Sequence, residues 1–131
     1  MLGDPEMFYH ATVPLNFGET FIRENTAILE QAKSRYALLD YPPLVRLIDA
    51  FLMLDITDQL PRIKTPTCVI SGGMDILKPT YPYSKAIHDG LPNSEMVIVY
   101  DSGHAITFER PEEFNSVVLG FLNKQSKKDT S

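Results

Sequence analysis

The chain has 131 residues, 44% of them apolar, with 12 Lys+Arg against 17 Asp+Glu for a formal net charge of −5, which suits one packed domain. The acidic balance gives no electrostatic reason to approach phosphate backbones or anionic membranes, so nucleic acid is not expected as a partner, and no apolar run nears the roughly 18 residues that span a bilayer. Cys68, the single cysteine, cannot form an internal disulfide, and the opening MLGDPEMFYH lacks the basic-then-apolar order of a secretion signal, so a cytoplasmic protein is expected.

In chain order, residues 1–60 read as helical. Residues 1–16 show no consistent period. A short helical turn follows at Glu19–Arg23, and Asn25 is placed to cap a helix in which Ile28, Leu29, Ala32 and Tyr36 share a face. From Leu44, the residues Leu44, Leu47, Ile48, Phe51 and Leu52 keep the i, i+3, i+4, i+7, i+8 spacing of an amphipathic helix, with Pro43 suited to its first turn. Between Pro61 and Pro66 the character changes, and residues 61–124 read as a βαβα unit. Thr67–Ser71 (TCVIS) is a short β-prone run closed by Gly72-Gly73, and Met96–Tyr100 (MVIVY) is a second. A helix from about Tyr83 to Leu91 connects them, with Ala86 and Ile87 facing inward. Pro111 opens a last helix whose stripe is Phe114, Val117, Val118, Phe121 and Leu122, with Glu112 and Glu113 at its positive end. Residues 125–131, beginning QSKKD, read as a disordered polar tail. There is no internal repeat.

The chemistry concentrates where the two strands end. Parallel strands joined by a helix put their C-terminal ends at one sheet edge, where open α/β folds bind ligands. Asp75 follows the first strand in Gly72-Gly73-Met74-Asp75, and His104 follows the second in Asp101-Ser102-Gly103-His104. Adjacent strands lie about 4.8 Å apart, so these loops can bring carboxylate and imidazole within hydrogen-bond reach. Such a pair fixes the imidazole tautomer while the other ring nitrogen takes a proton from a nucleophile. His10 and His88 have no such partner and read as structural. Cys68 reads as a strand core residue, Ser102 as no nucleophile, and Glu109 as orienting the last loop or capping the final helix. No metal site and no cofactor are indicated, since three dispersed histidines lack carboxylates at ligand spacing.

The segments GGMDILKP and DSGHAITFERPEEFNSVVLGFL resemble the α/β-hydrolase family, most closely its capped esterase and enol-lactonase-like branch. The resemblance implies a partial α/β-hydrolase fold: a short parallel sheet with flanking helices, Asp75 as triad acid and His104 as triad base. The helical residues 1–60, with NFGETFIREN, resemble the cap that such enzymes fold over the active-site edge, and Phe17, Phe21 and Phe51 are candidate walls of a substrate pocket. The family's G-x-S-x-G elbow occurs nowhere in the chain, nor does the oxyanion-hole loop. The resemblance therefore implies the C-terminal part of a hydrolase of carboxylic esters or lactones, with its nucleophile upstream and no activity alone. C–C or C–halogen hydrolysis uses the same fold. The uncovered sheet implies self-association or pairing with an N-terminal half. A different reading is a stand-alone, non-catalytic domain that binds a small apolar ligand or a protein partner.

Overall fold

The computed structural model describes residues 4–128. Helix α1 (Pro5–Asn16) fills the stretch without an evident period. Its start is nonetheless specified: Asp4 Oδ1 accepts the N–H groups of Glu6 (3.0 Å) and Met7 (3.3 Å), and Pro5 stands where no helical N–H is needed. Pro14, inside the helix, is what obscures the pattern. Short helices α2 (Glu19–Glu24) and α3 (Thr26–Ala32) follow, then a 3₁₀ turn at Lys33–Leu38. Asn25 stands between α2 and α3 but does not cap α3 with its side chain. Its Nδ2 donates to the Phe21 carbonyl at 3.0 Å and closes α2 instead. Tyr9, Val13 and Leu29 form a buried core here, with Phe17, Phe21, Ile22 and Tyr36 against it. Of the four residues expected on that face, Leu29 is buried, Ala32 and Tyr36 are half-buried, and Ile28 is exposed.

Helix α4 (Tyr41–Leu52) has the expected stripe, yet buries none of it: Leu47, Ile48, Phe51 and Leu52 are all exposed. After a 3₁₀ turn at Thr57–Arg62, strands β1 (Thr67–Gly72) and β2 (Ser94–Val99) pair in parallel, from Thr67 opposite Ser94 to Gly72 opposite Val99. This is the only sheet among the described residues, and both its outer edges lack a strand.

The crossover is a π turn at Thr80–Ser84 running into α5 (Lys85–Gly90). Here the expectation fails, since Ala86 and Ile87 are exposed. Two contacts set the helix rotation instead. His88 Nδ1 lies 2.8 Å from Ser94 Oγ at the start of β2, and Leu60 packs on Gly90, where a Cβ would come within 2.8 Å of Leu60 Cδ1. The short α6 (Ile106–Glu109) leads to α7 (Pro111–Lys128). Phe114, Val117, Val118 and Phe121 are half-buried along α7, while Leu122 is exposed. The tail expected at 125–131 is a helix through Lys128, and 129–131 lie outside the described residues. Polar Lys and Gln are good helix formers, and Lys124 Nζ is held by Glu95 Oε2 at 2.5 Å while Ser126 Oγ donates to the Leu122 carbonyl. No helix among the described residues is long and apolar enough to cross a membrane.

Candidate active site

Backbone bonds continue past the strand ends and lash the two following loops together. Gly73 N donates to the Val99 carbonyl at 2.8 Å and Met74 N to the Ser102 carbonyl at 2.9 Å. The approach is possible only without side chains: a Cβ on Gly72 would lie 2.0 Å from the Gly103 oxygen, and one on Gly73 would lie 2.7 Å from Tyr100 Cα. At the loop base, buried Ser71 Oγ and Thr80 Oγ1 are 2.8 Å apart.

Asp75 is buried within this crossing. Its Oδ1 accepts from the N–H groups of Leu77 (2.9 Å) and Lys78 (2.8 Å), and its Oδ2 is 2.8 Å from His104 Nδ1. The Asp75 side chain is 7% exposed and that of His104 41%. A carboxylate is acceptor-only, so His104 Nδ1 carries the proton and Nε2 presents a free lone pair. The Asp75 carboxylate thus fixes the imidazole through Nδ1 and leaves Nε2 for another partner.

The histidine loop is held from its other side by Glu109. This carboxylate is 6% exposed. Its Oε1 accepts from Gly103 N at 2.9 Å, and its Oε2 from Gly18 N at 3.0 Å. Ala105 N adds a bond to the Asn16 carbonyl at 2.8 Å. A Cβ on Gly103 would lie 2.6 Å from Gly18 N, so this seam also depends on a missing side chain. The bond from Glu109 to its own loop was legible in the sequence. Its reach to Gly18, 91 residues away, had no local signal.

The remaining candidates separate. Phe17 and Phe21 stack at 5.2 Å and share an apolar hollow of about 550 Å³ with Ile28, Leu29 and Phe108. Phe108, four residues after His104, is a wall residue that the sequence reading did not single out. Phe51 is not in that hollow: it lines another, with Leu54, Leu60, Pro82 and Tyr83, because α4 runs toward α5 rather than toward Phe17. Neither hollow includes Asp75 or His104 among its walls. Ser102 is fully buried, its Oγ directed at the Gly103 carbonyl at 3.3 Å. Burial, then the nearby Glu95 carboxylate, push the Cys68 thiol above its ordinary pKa, with Lys124 opposing. His10 lies 3.7 Å from Glu6 Oε1 on the surface. Among the described residues no group of three or more His, Cys, Asp or Glu is gathered to hold a metal ion.

An acid after one parallel strand and a histidine after the next, joined at the C-terminal edge of the sheet, is the arrangement of the last part of an α/β-hydrolase core. Comparison with known proteins agrees: the chain belongs to the α/β-hydrolase fold family and matches the C-terminal part of its members. Over 93 residues it is 39% identical to "Putative carbamate hydrolase RutD" of Stutzerimonas stutzeri strain A1501, covering 69% of this chain and 35% of that protein. It superposes on the crystal structure of MGS-M2, an α/β-hydrolase from a Medee basin deep-sea metagenome library, with a TM-score of 0.84 and 31% identity, covering 92% of this chain and 46% of the other. The enol-lactonase of Burkholderia xenovorans LB400 gives a TM-score of 0.81 at 21% identity, covering 90% and 45%, which speaks to the fold alone. No family model matches the chain. The chain spans about half the length, or less, of the relatives it matches.

Proposed function

We propose that this chain carries the acid–base half of a hydrolase's catalytic triad, with His104 as general base and Asp75 as the acid that orients it. The nucleophile comes from a segment outside this sequence. In this reading His104 Nε2 takes the nucleophile's proton as it attacks a carbonyl carbon, Asp75 stabilises the imidazolium, and His104 then protonates the leaving group. The bond cleaved is a carboxylic ester or lactone. Relatives bearing carbamate hydrolase and esterase names support a carbonyl joined to a heteroatom leaving group. Helices α1 to α4 form the cap, and the hollow with Phe17, Phe21 and Phe108 is part of the substrate wall. The exposed stripe of α4 and the open edges of the sheet are where the rest of the enzyme packs, and without it they favour self-association.

The observation that carries this reading is the 2.8 Å contact between His104 Nδ1 and buried Asp75 Oδ2, with the imidazole itself 41% exposed. The test supplies the N-terminal part of MGS-M2, ahead of the matched region, fused to this chain or as a separate polypeptide. Hydrolysis of a p-nitrophenyl ester and of an aryl carbamate is then measured. Activity is expected with the wild-type chain and lost with His104→Gln. An assembled complex in which the Gln variant hydrolyses as fast as wild type would remove His104 from the mechanism.

A further inference from the structure

We infer that Glu109 is a positioning residue for His104, and that it couples the histidine's loop to the junction between α1 and α2. The inference rests on the reading of His104 as general base. It adds a residue that touches neither the reacting atoms nor the imidazole, and acts through the backbone that leads into the histidine.

Glu109 is among the most buried charged side chains described, at 6% exposure, yet it has no cationic partner among its hydrogen bonds. A buried carboxylate without compensation is costly. Here each oxygen is satisfied by one backbone N–H, Gly103 on one side and Gly18 on the other. Gly103 immediately precedes His104, and its N–H lies in the peptide plane that ends at the Gly103 Cα, so the bond anchors the backbone from which the histidine departs. Gly18 is the N-cap of α2, with extended backbone at φ −67°, ψ 151°. Both donors are glycines that a Cβ would push away: at Gly103 it would meet Gly18 N at 2.6 Å, and at Gly18 it would meet Glu109 Oε2 at 3.0 Å. The two peptides and the carboxylate therefore form one close-packed unit. Asp75 fixes the imidazole from the ring side and Glu109 fixes it from the backbone side. Displacing the α1–α2 junction consequently shifts the base relative to its acid.

Two variants break this link from opposite ends. Glu109→Gln keeps size and one acceptor but presents an amide NH₂ to one of two N–H donors, so one bond is lost. Gly18→Pro leaves every charge in place. Its ring is compatible with φ −67° and with extended Phe17 before it at φ −120°, ψ 144°, but it replaces the donated N–H by a methylene that displaces Oε2. The measurement is the tautomer of neutral His104, read from imidazole ¹⁵N correlations of the full 131-residue chain, alongside thermal unfolding. Wild type is expected to hold the Nδ1–H form predominantly. Both variants are expected to unfold cooperatively and to lose that predominance to a mixture with Nε2–H, which an element serving only stability would not cause.

A wild-type tautomer retained in both variants, or failure of both to fold, makes the seam purely structural and overturns the inference. A change in Glu109→Gln alone, with Gly18→Pro folded and unaffected, overturns the coupling to α1 and α2. Asp75→Asn is the separate control. If it leaves the His104 tautomer unchanged, the acid–base reading itself fails, and the inference that rests on it falls with it.

Discussion

Replacing Asp75 by Asn changes one atom in the molecule, and the surrounding hydrogen bonds dictate how the amide must sit. The Oδ1 position faces two donors, Leu77 N at 2.9 Å and Lys78 N at 2.8 Å, so only the amide oxygen fits there. The NH₂ is then turned toward His104 Nδ1, 2.8 Å from the atom it replaces. Donor faces donor unless the imidazole moves its proton to Nε2, and an Nε2–H imidazole cannot accept the nucleophile's proton. Holding the wrong tautomer costs about 10⁴-fold in kcat, or about 5.4 kcal/mol at 1.36 kcal/mol per decade. Stability should change far less, because the number of hydrogen bonds is conserved and only their charge assistance is lost, about 1 kcal/mol. The assay is steady-state ester hydrolysis by the complemented enzyme, paired with urea unfolding of this chain. An Asp75→Asn enzyme within tenfold of wild-type kcat would refute the role given to the carboxylate, and so would a loss of activity that merely tracks unfolding.

Other consequences are equally direct. Gly72→Ala should destabilise the chain by about 3 kcal/mol, because its Cβ would meet backbone oxygens at 2.0 and 2.6 Å; a loss under about 1 kcal/mol in denaturant unfolding would contradict the crossing described. Sedimentation velocity should show concentration-dependent association of this chain, weakened by Phe51→Ser with Leu52→Ser; a monomer at every concentration would argue that the α4 stripe attracts nothing. The Cys68 thiol, raised by burial and by Glu95, keeps its proton in the fold after the unfolded chain has lost it. Stability should therefore be intact below the ordinary thiol pKa, about 8.5, and decline as pH rises above it. Cys68→Val should flatten that decline relative to wild type.

The sheet half was legible because its signals are local. Short β-branched runs bounded by Gly72-Gly73 on one side and Asp101-Ser102-Gly103 on the other locate both strands, and parallel pairing then brings the following loops together. Asp75 and His104 needed only that geometry and the resemblance carried by their flanking segments. Helix α4 was equally plain, since its stripe comes from spacing alone. What spacing could not tell is whether anything covers the stripe, which depends on residues outside the helix. Helix α1 shows the opposite failure: Asp4-Pro5-Glu6 is a clear start signal, but Pro14 and a mixed pattern hid the body. The rotation of α5 turned on two distant contacts, Ser94 to His88 and Leu60 to Gly90, that a sequence window over Tyr83–Leu91 does not contain. The Gly18 end of the Glu109 seam was invisible for the same reason.

Around Tyr9, Val13 and Leu29 the helices have a core of their own, while Leu60, Leu91, Val99 and Ile106 are buried around the strands. The amides of Gly18 and Ala105 are bonded across the boundary between these regions, to Glu109 Oε2 and to the Asn16 carbonyl. Opening at that boundary exposes both at once, so they should exchange with deuterium at one common rate, faster than the β1 and β2 amides. His104 immediately precedes one of them, Ala105, in sequence. Breathing of the helical region against the strands would thus be felt at His104, the proposed base, and the opening frequency of this boundary would limit how often its imidazole is found against Asp75.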